Sequence, residues 1–373
     1  MPYRTIDLCA GIGGIRRGFE RSGHFENILS AEVDRYACLT YEHLYGENPH
    51  NDITSEEFKI MVENTDYDIL LAGFPCQTFS RAGLKEGFEN QEKGIIFEHI
   101  TQIIRRTNPT AIFLENVDHL VTHNKGETFK QIIETLEYDL NYRIIGVTRN
   151  EKGELMYAPQ DFIRNSKYFG VPQNRPRTYI LGFYRNAFRA NPDLLNAELP
   201  HRRKNVIYKN LSDVLEDNVD LKYYMSSGYW ETLKKHRARQ KIMNNGFGYR
   251  IVNLPDNPNP IANTLLATGG SGKERNLIFQ PNPNAVNQRI AGKKTPLNTE
   301  NIRVMTPTEW GKLQGFINYG FVNTNGIDNF SFPDNLSNAQ KYKQFGNSVT
   351  IPVIEMMANL MFECLEYLNG ENL

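Results

Sequence analysis

Along the first 185 residues, short apolar runs alternate with stretches in which apolar side chains return every three or four positions. Strands are expected at residues 5–9, 28–32, 69–73, 111–115 and 178–183. Between them, Ile96, Ile100, Ile103 and Ile104 form one helical stripe, and Phe129, Ile132, Ile133 and Leu136 form another. Strands and helices in alternation predict an α/β fold, a mostly parallel sheet with helices on both faces. The pattern breaks near residue 186. From there to about residue 300 the chain is rich in Asn, Pro, Gly and basic residues, with turn-forming runs such as Pro255-Asp256-Asn257-Pro258-Asn259-Pro260. A smaller, loop-rich part is expected there. Regular patterning returns after residue 301, and Ile351, Ile354, Met361, Leu365 and Leu368 stand near helical spacing, as in a closing helix that packs back on the first part.

Size and composition fit that division. A chain of 373 residues exceeds the length at which one core usually stops growing. Hydrophobic residues make up 40% and charged residues 23%, and no apolar run approaches the ~20 residues that span a bilayer, so no membrane association and a cytoplasmic location are expected. Cys9, Cys38, Cys76 and Cys364 are scattered without close pairs, so neither a disulfide framework nor a bound metal is expected. A net charge of -1 argues against an evenly basic surface, which leaves the distribution of charge to decide on nucleic acid.

The first candidate chemistry lies where the opening strand runs into Ala10-Gly11-Ile12-Gly13-Gly14. Glycines at a strand-to-helix turn allow close backbone approach, and the open helix terminus offers N–H donors. Glu32, 18 residues after Gly14, ends the next strand, where a carboxylate accepts both hydroxyls of a ribose in doubly wound folds. The spacing departs from the dinucleotide G-x-G-x-x-G, so a pyrophosphate has no obvious seat. Asp7 can face a cationic amino-acid moiety, while Asp52 and Ile53 suit an adenine amino group and ring. These acidic and apolar contacts suit S-adenosylmethionine better than NAD.

Further along, Gly73-Phe74-Pro75-Cys76-Gln77 follows the third strand, and Cys76 has a rigid proline before it and polar residues after it, a setting for a partly exposed nucleophile. The apolar run 111–115 ends on Glu115, and Arg175 and Arg177 share one face of an extended segment. At this point the chain resembles the DNA cytosine-C5 methyltransferase family of bacterial restriction-modification type. The resemblance rests on Asp7 to Gly14, Gly73 to Gln77, Glu115-Asn116-Val117, Gln173-x-Arg175-x-Arg177, Gln314-Gly315-Phe316 and Gln344 to Val349, in that order over about residues 5–355.

The resemblance implies a Rossmann-like methyltransferase fold with residues 1–185 as catalytic and cofactor-binding domain, 186–300 as target-recognition domain, and 301–373 as hinge and returning helix. It implies S-adenosylmethionine contacts from Asp7, Cys9, Ala10, Gly11, Gly13, Gly14, Glu32, Val33, Asp52, Ile53, Phe74 and Pro75, joined by Asn347, Ser348 and Val349. It implies that Cys76 attacks C6 of a cytosine turned out of double-stranded DNA, that Glu115 steadies N3 and Arg177 holds O2, and that Arg175 belongs to the same set. Residues 80–93 would form a lid, with Gln77, Ser80 and Arg81 meeting DNA.

The match loosens at two places. Thr308 stands where the family carries an arginine ahead of Glu309, which puts the packing of that helix in doubt. In the loop-rich part, seven basic residues (Lys222, Lys234, Lys235, Arg237, Arg239, Lys241, Arg250) face one acid, Glu231, with aromatics between them. Arg237, Arg239, Arg250, Thr264 and Lys273 are the expected DNA contacts there. Three other readings stay open: a transfer-RNA methyltransferase of the same fold, a DNA-binding relative without catalysis, and a nicotinamide oxidoreductase. A monomer is expected, with a cognate restriction endonuclease in the same system.

Overall fold

The computed structural model describes residues 1–75, 96–244, 248–268 and 272–370. The expected nucleophile Cys76, the DNA contacts Gln77, Ser80 and Arg81, and the lid 80–93 therefore lie outside the described residues.

The chain opens with β1 (Tyr3–Leu8), α1 (Gly14–Arg21), β2 (Phe25–Ala31), α2 (Arg35–Tyr45), α3 (Glu56–Glu63) and β3 (Ile69–Gly73). It continues through α4 (Ile96–Thr107), β4 (Ala111–Val117), α5 (Glu127–Glu134) and β5 (Tyr142–Ile144). A small hairpin, β6 (Thr148–Arg149) and β7 (Leu155–Met156), precedes β8 (Ile163–Asn165), β9 (Gln173–Asn174) and β10 (Pro176–Tyr184). The sheet runs in the order β2-β1-β3-β4-β10-β5, with β8 beside β10. Strands β1 to β4 pair in parallel, as the alternating pattern requires. Strand β10 lies antiparallel to β4, with Arg177 opposite Val117 and Thr178 opposite Asn116. Its reversed direction brings the start of β10 to the carboxyl edge where the parallel strands end.

Helices cover both faces. Ile100, Ile103 and Ile104 of α4 and Ile132 and Ile133 of α5 pack on one side of the sheet, in a cluster with Leu70, Ile112 and Ile180. Phe19 of α1 packs on the other with Met357, Met361 and Leu365 of α9 (Ile351–Asn369). Each such side chain contributes about 1.5–3 kcal/mol on burial. The stretch Asn338–Asn369 is long and apolar enough to cross a membrane, which corrects the expectation that no run approaches that length. Its apolar positions are spent on the core instead: Ile354, Met357, Met361, Leu365 and Leu368 have no exposed surface.

The loop-rich part holds α6 (Ser227–Ile242), β11 (Ala262–Asn263) and the antiparallel pair β12 (Leu277–Phe279) and β13 (Ile302–Val304). Strand β11 pairs with β9, so the two parts share a ladder. Between them, α7 (Pro307–Leu313) and α8 (Asn338–Asn347) contribute Trp310, Leu313 and Phe345 to a cluster that also takes Ile12, Leu265 and Phe316. The doubt raised by Thr308 is resolved here. Glu309 meets Arg303 of β13 at 2.6 and 2.8 Å, with neither side chain exposed. The guanidinium arrives from a neighbouring strand rather than from the helix itself.

Candidate active site

Between the carboxyl edge of the sheet, the loop-rich part and α8 lies a cavity of about 680 Å³. Its floor begins at the turn after β1. Gly11, at φ 57°, has nothing within 4 Å of where a Cβ would stand, and its N–H donates to Glu32 Oε2 at 2.7 Å. The backbone N–H groups of Val33 and Asp34 donate to Glu32 Oε1 at 2.8 and 2.7 Å. Three donors fix the carboxylate on the wall, with acceptor capacity to spare for one more donor. Cys9, Gly11, Glu32, Val33, Asp52, Ile53, Phe74, Pro75 and Asn347 all line this space, as do Ala31, Asn51 and Gly73, which the sequence reading had not singled out.

Other expected cofactor residues stand behind the wall. A Cβ on Gly13 would meet the Tyr45 ring at 2.4 Å, and one on Gly14 would meet Ser348 Oγ at 2.6 Å. These two glycines let α1 pack closely, and Ser348 and Val349 serve the same contact. Ala10 is buried in the turn and its N–H donates to Ala31 O at 2.9 Å. Asp7 does not reach the cavity either, which corrects its expected place: Oδ2 accepts from Arg16 N at 3.3 Å and Oδ1 has no partner among the described residues. Burial pushes its carboxyl up to about 7.

At the carboxyl edge, Asn116 Nδ2 donates to Phe74 O at 2.9 Å and fixes the backbone of the turn that leads to Cys76. Glu115 lines the cavity and meets Arg177 Nε at 3.3 Å. Burial raises its carboxyl above the ordinary range, against the opposing pull of Arg177 and Arg175. Arg175 also lines the space, yet its guanidinium is committed to the backbone. It donates to Leu265 O at 2.9 Å, Gly346 O at 3.0 Å and Ser348 O at 2.5 Å, and is 1% exposed. The pair expected to act together is therefore split: Arg177 stands by the carboxylate, and Arg175 ties three chain segments behind it.

The remaining walls went unforeseen. Leu265, Leu266 and Ala267 enter from the loop-rich part, while Asp34, Lys343 and Gln344 close the side near Glu32. A signal for the first was present in the neighbouring Thr264, which was expected to meet DNA. For Asp34 and Lys343, single charged residues flanking the singled-out runs, nothing in the sequence indicated a meeting.

Of the expected DNA contacts, Thr264 donates its hydroxyl to Asn174 O at 2.8 Å, and Arg237 lies over the Tyr249 ring, 4.7 Å from its centroid. Arg239 and Arg250 are exposed. Lys273 stacks on Tyr342 at 5.0 Å and, with Lys222, Lys293 and Lys294, lines an open cleft of about 490 Å³ beside the first turn of α6.

A doubly wound sheet with an acidic, nucleoside-sized cavity at its carboxyl edge, walled on one side by a buried carboxyl and a guanidinium, is the architecture of a Rossmann-like nucleoside-binding enzyme, and the family to which the chain belongs makes it a methyltransferase. A family profile described as C-5 cytosine-specific DNA methylase matches residues 3–363, and the chain belongs to this family of DNA cytosine-C5 methyltransferases. The type II methyltransferase M.HpaII of Haemophilus parainfluenzae is 41% identical, over 97% of this chain and 90% of its own length. M1.ScrFI of Lactococcus lactis subsp. cremoris is 36% identical, over 98% and 79%. Among solved structures, the Entamoeba histolytica methyltransferase EhMeth shares the fold, with a TM-score of 0.66 at 20% identity over 98% of this chain and 99% of that one.

Proposed function

We propose that this enzyme transfers a methyl group from S-adenosylmethionine to C5 of a cytosine turned out of a specific site in double-stranded DNA, with Cys76 as covalent nucleophile. The observation that carries the reading is the meeting of Glu115 and Arg177 on the same cavity as Glu32, with Pro75, the neighbour of Cys76 in sequence, on its lining. The residues suit the methyl donor: the fixed Glu32 carboxylate for ribose hydroxyls, Asp52 beside Ile53 for adenine, and open space at Gly11 for close approach. When bound, the donor supplies an electrophilic methyl group.

The chain's own residues do the rest. Cytosine C5 is a poor nucleophile, and a bond from the Cys76 thiolate to C6 makes the ring electron-rich. Glu115, its carboxyl raised by burial, holds a proton toward N3, and Arg177 stabilises charge at O2. After C5 has gained the methyl group, loss of the C5 proton and departure of Cys76 restore the aromatic ring. Arg175 positions this set by holding the backbone at Leu265, Gly346 and Ser348.

In this reading residues 1–185 with 301–373 form the catalytic domain, and 186–300 read the DNA. Arg237, Arg239, Arg250 and Lys273, with the lysine-lined cleft, grip phosphates. The enzyme acts as a monomer, paired with a restriction endonuclease of the same specificity. The test is a duplex containing 5-fluorocytosine incubated with S-adenosylmethionine. Wild type should give an adduct that survives denaturation, and Cys76→Ala should give none. Methyl transfer to transfer RNA in preference to duplex DNA would overturn the assignment.

A further inference from the structure

Lys343 Nζ and Asp34 Oδ2 meet at 2.5 Å on the wall of the 680 Å³ cavity, although 309 positions separate them in sequence. Their side chains remain 39% and 31% exposed, and a pair that exposed adds little to stability. Its importance lies in where it stands. Asp34 caps α2, its Oδ1 accepting from Tyr36 N at 2.9 Å and Ala37 N at 3.1 Å, so the carboxylate is held in place before the lysine arrives. The same short turn carries Glu32 and Val33 on the cavity wall. On the other side, Lys343 is four residues before Asn347, and its neighbour Gln344 donates to Tyr36 O at 2.8 Å and accepts from Thr40 Oγ1 at 2.9 Å.

Two segments from opposite ends of the described chain are thus joined at one rim of the cavity, and the two charges that meet across the joint oppose one another. We infer that the Asp34–Lys343 ion pair is a clasp that joins the two sides of the methyl-donor cavity at this rim, each member cancelling the charge the other would present to a charged ligand. The inference rests on the proposed identity of the donor. Lys343 and Asp34 are positioning residues here, since neither is required to touch the reacting atoms.

The chemistry offers a readout that simple packing would not move. S-adenosylmethionine carries a net positive charge through its sulfonium, whereas S-adenosylhomocysteine, of almost the same shape, is neutral. Asp34→Asn retains the helix cap but leaves the Lys343 ammonium unopposed, so it should weaken S-adenosylmethionine more than S-adenosylhomocysteine. Lys343→Met leaves the carboxylate unopposed and should shift the ratio of the two dissociation constants the opposite way. At low ionic strength each ratio should move roughly three- to tenfold, and added salt should erase the shift. The double variant should restore the wild-type ratio while binding both ligands more weakly.

Titration calorimetry of the full chain with each ligand separates the outcomes. Unchanged constants in all variants overturn the clasp, and so does equal weakening of both ligands with a constant ratio. If wild-type protein binds neither ligand, the proposed donor itself is wrong and the clasp falls with it.

Discussion

Glu309 accepts from Arg303 twice, from Thr306 N at 2.8 Å and from Glu216 N at 2.9 Å, with neither its own side chain nor that of Arg303 exposed. Glu115 meets Arg177 once, at 3.3 Å, on the wall of a cavity. Both are glutamates beside arginines in the interior, but the first has its acceptor sites filled and the second, among the described residues, meets only Arg177. Where the hinge-side pair is saturated, its work is to hold β13 against α7. Where the cavity pair has few partners among the described residues, burial outweighs the pull of Arg177 and Arg175 and the carboxyl is raised. Completeness of hydrogen bonding, more than burial, separates the structural acid from the one proposed to act on the base.

The comparison can be broken most directly at Glu309. Removing one member of a saturated buried pair strands the other, so Glu309→Ala should cost about 3–5 kcal/mol in urea unfolding. The paired change Arg303→Met with Glu309→Leu should recover most of that loss. Glu115→Gln should do the reverse. Turnover is expected to fall roughly 10²–10³-fold, while the unfolding midpoint stays level or rises because a desolvated carboxylate is gone. A raised acid also fixes the sign of the pH effect: wild-type turnover should drop as pH climbs through the elevated Glu115 value, and that alkaline limb should be missing from the Gln variant.

Asp7 gives the smallest and most specific test, because it is buried like Glu309 yet under-bonded like Glu115. Its carboxyl is raised from 3.8 to about 7, so the folded state holds a proton that the unfolded chain releases. Stability from this group is complete below about pH 4 and is lost as pH rises through 7. Unfolding free energies of wild type and Asp7→Asn at pH 5 and pH 8 should therefore diverge, with the Asn variant gaining about 1 kcal/mol or more at pH 8. Parallel pH dependence in the two proteins would remove the contrast.

Much of the large sheet was legible. Apolar runs at 69–73 and 111–115 coincide with β3 and the start of β4, and the stripe of α9 was visible from Ile351 to Leu368. Strand direction was not, since the run that becomes β10 looks the same read either way. The three residues of β5 were too short to show a period. Arg175 and Arg177 both line the cavity, but which guanidinium is consumed by carbonyls depends on Leu265, Gly346 and Ser348, residues far away in sequence. Arg303 as the partner of Glu309 was hidden although only six positions separate them, because one stands on a strand and the other on a helix. The glycine turn read as one functional unit, whereas space is left open at Gly11 and filled at Gly13 and Gly14.

The joint between Asp34 and Lys343 has a consequence in time as well as in space. Synthesis proceeds at about 5–20 residues per second, so the 309 positions between them take roughly 15–60 seconds to make. During that interval the sheet can already assemble around β1 to β4, while the wall formed by Lys343, Gln344 and Asn347 does not yet exist. A growing chain is thus an unfinished container, and one cut short before α8 would lack both this wall and the α9 side chains Met357, Met361 and Leu365 that cover one face of the sheet.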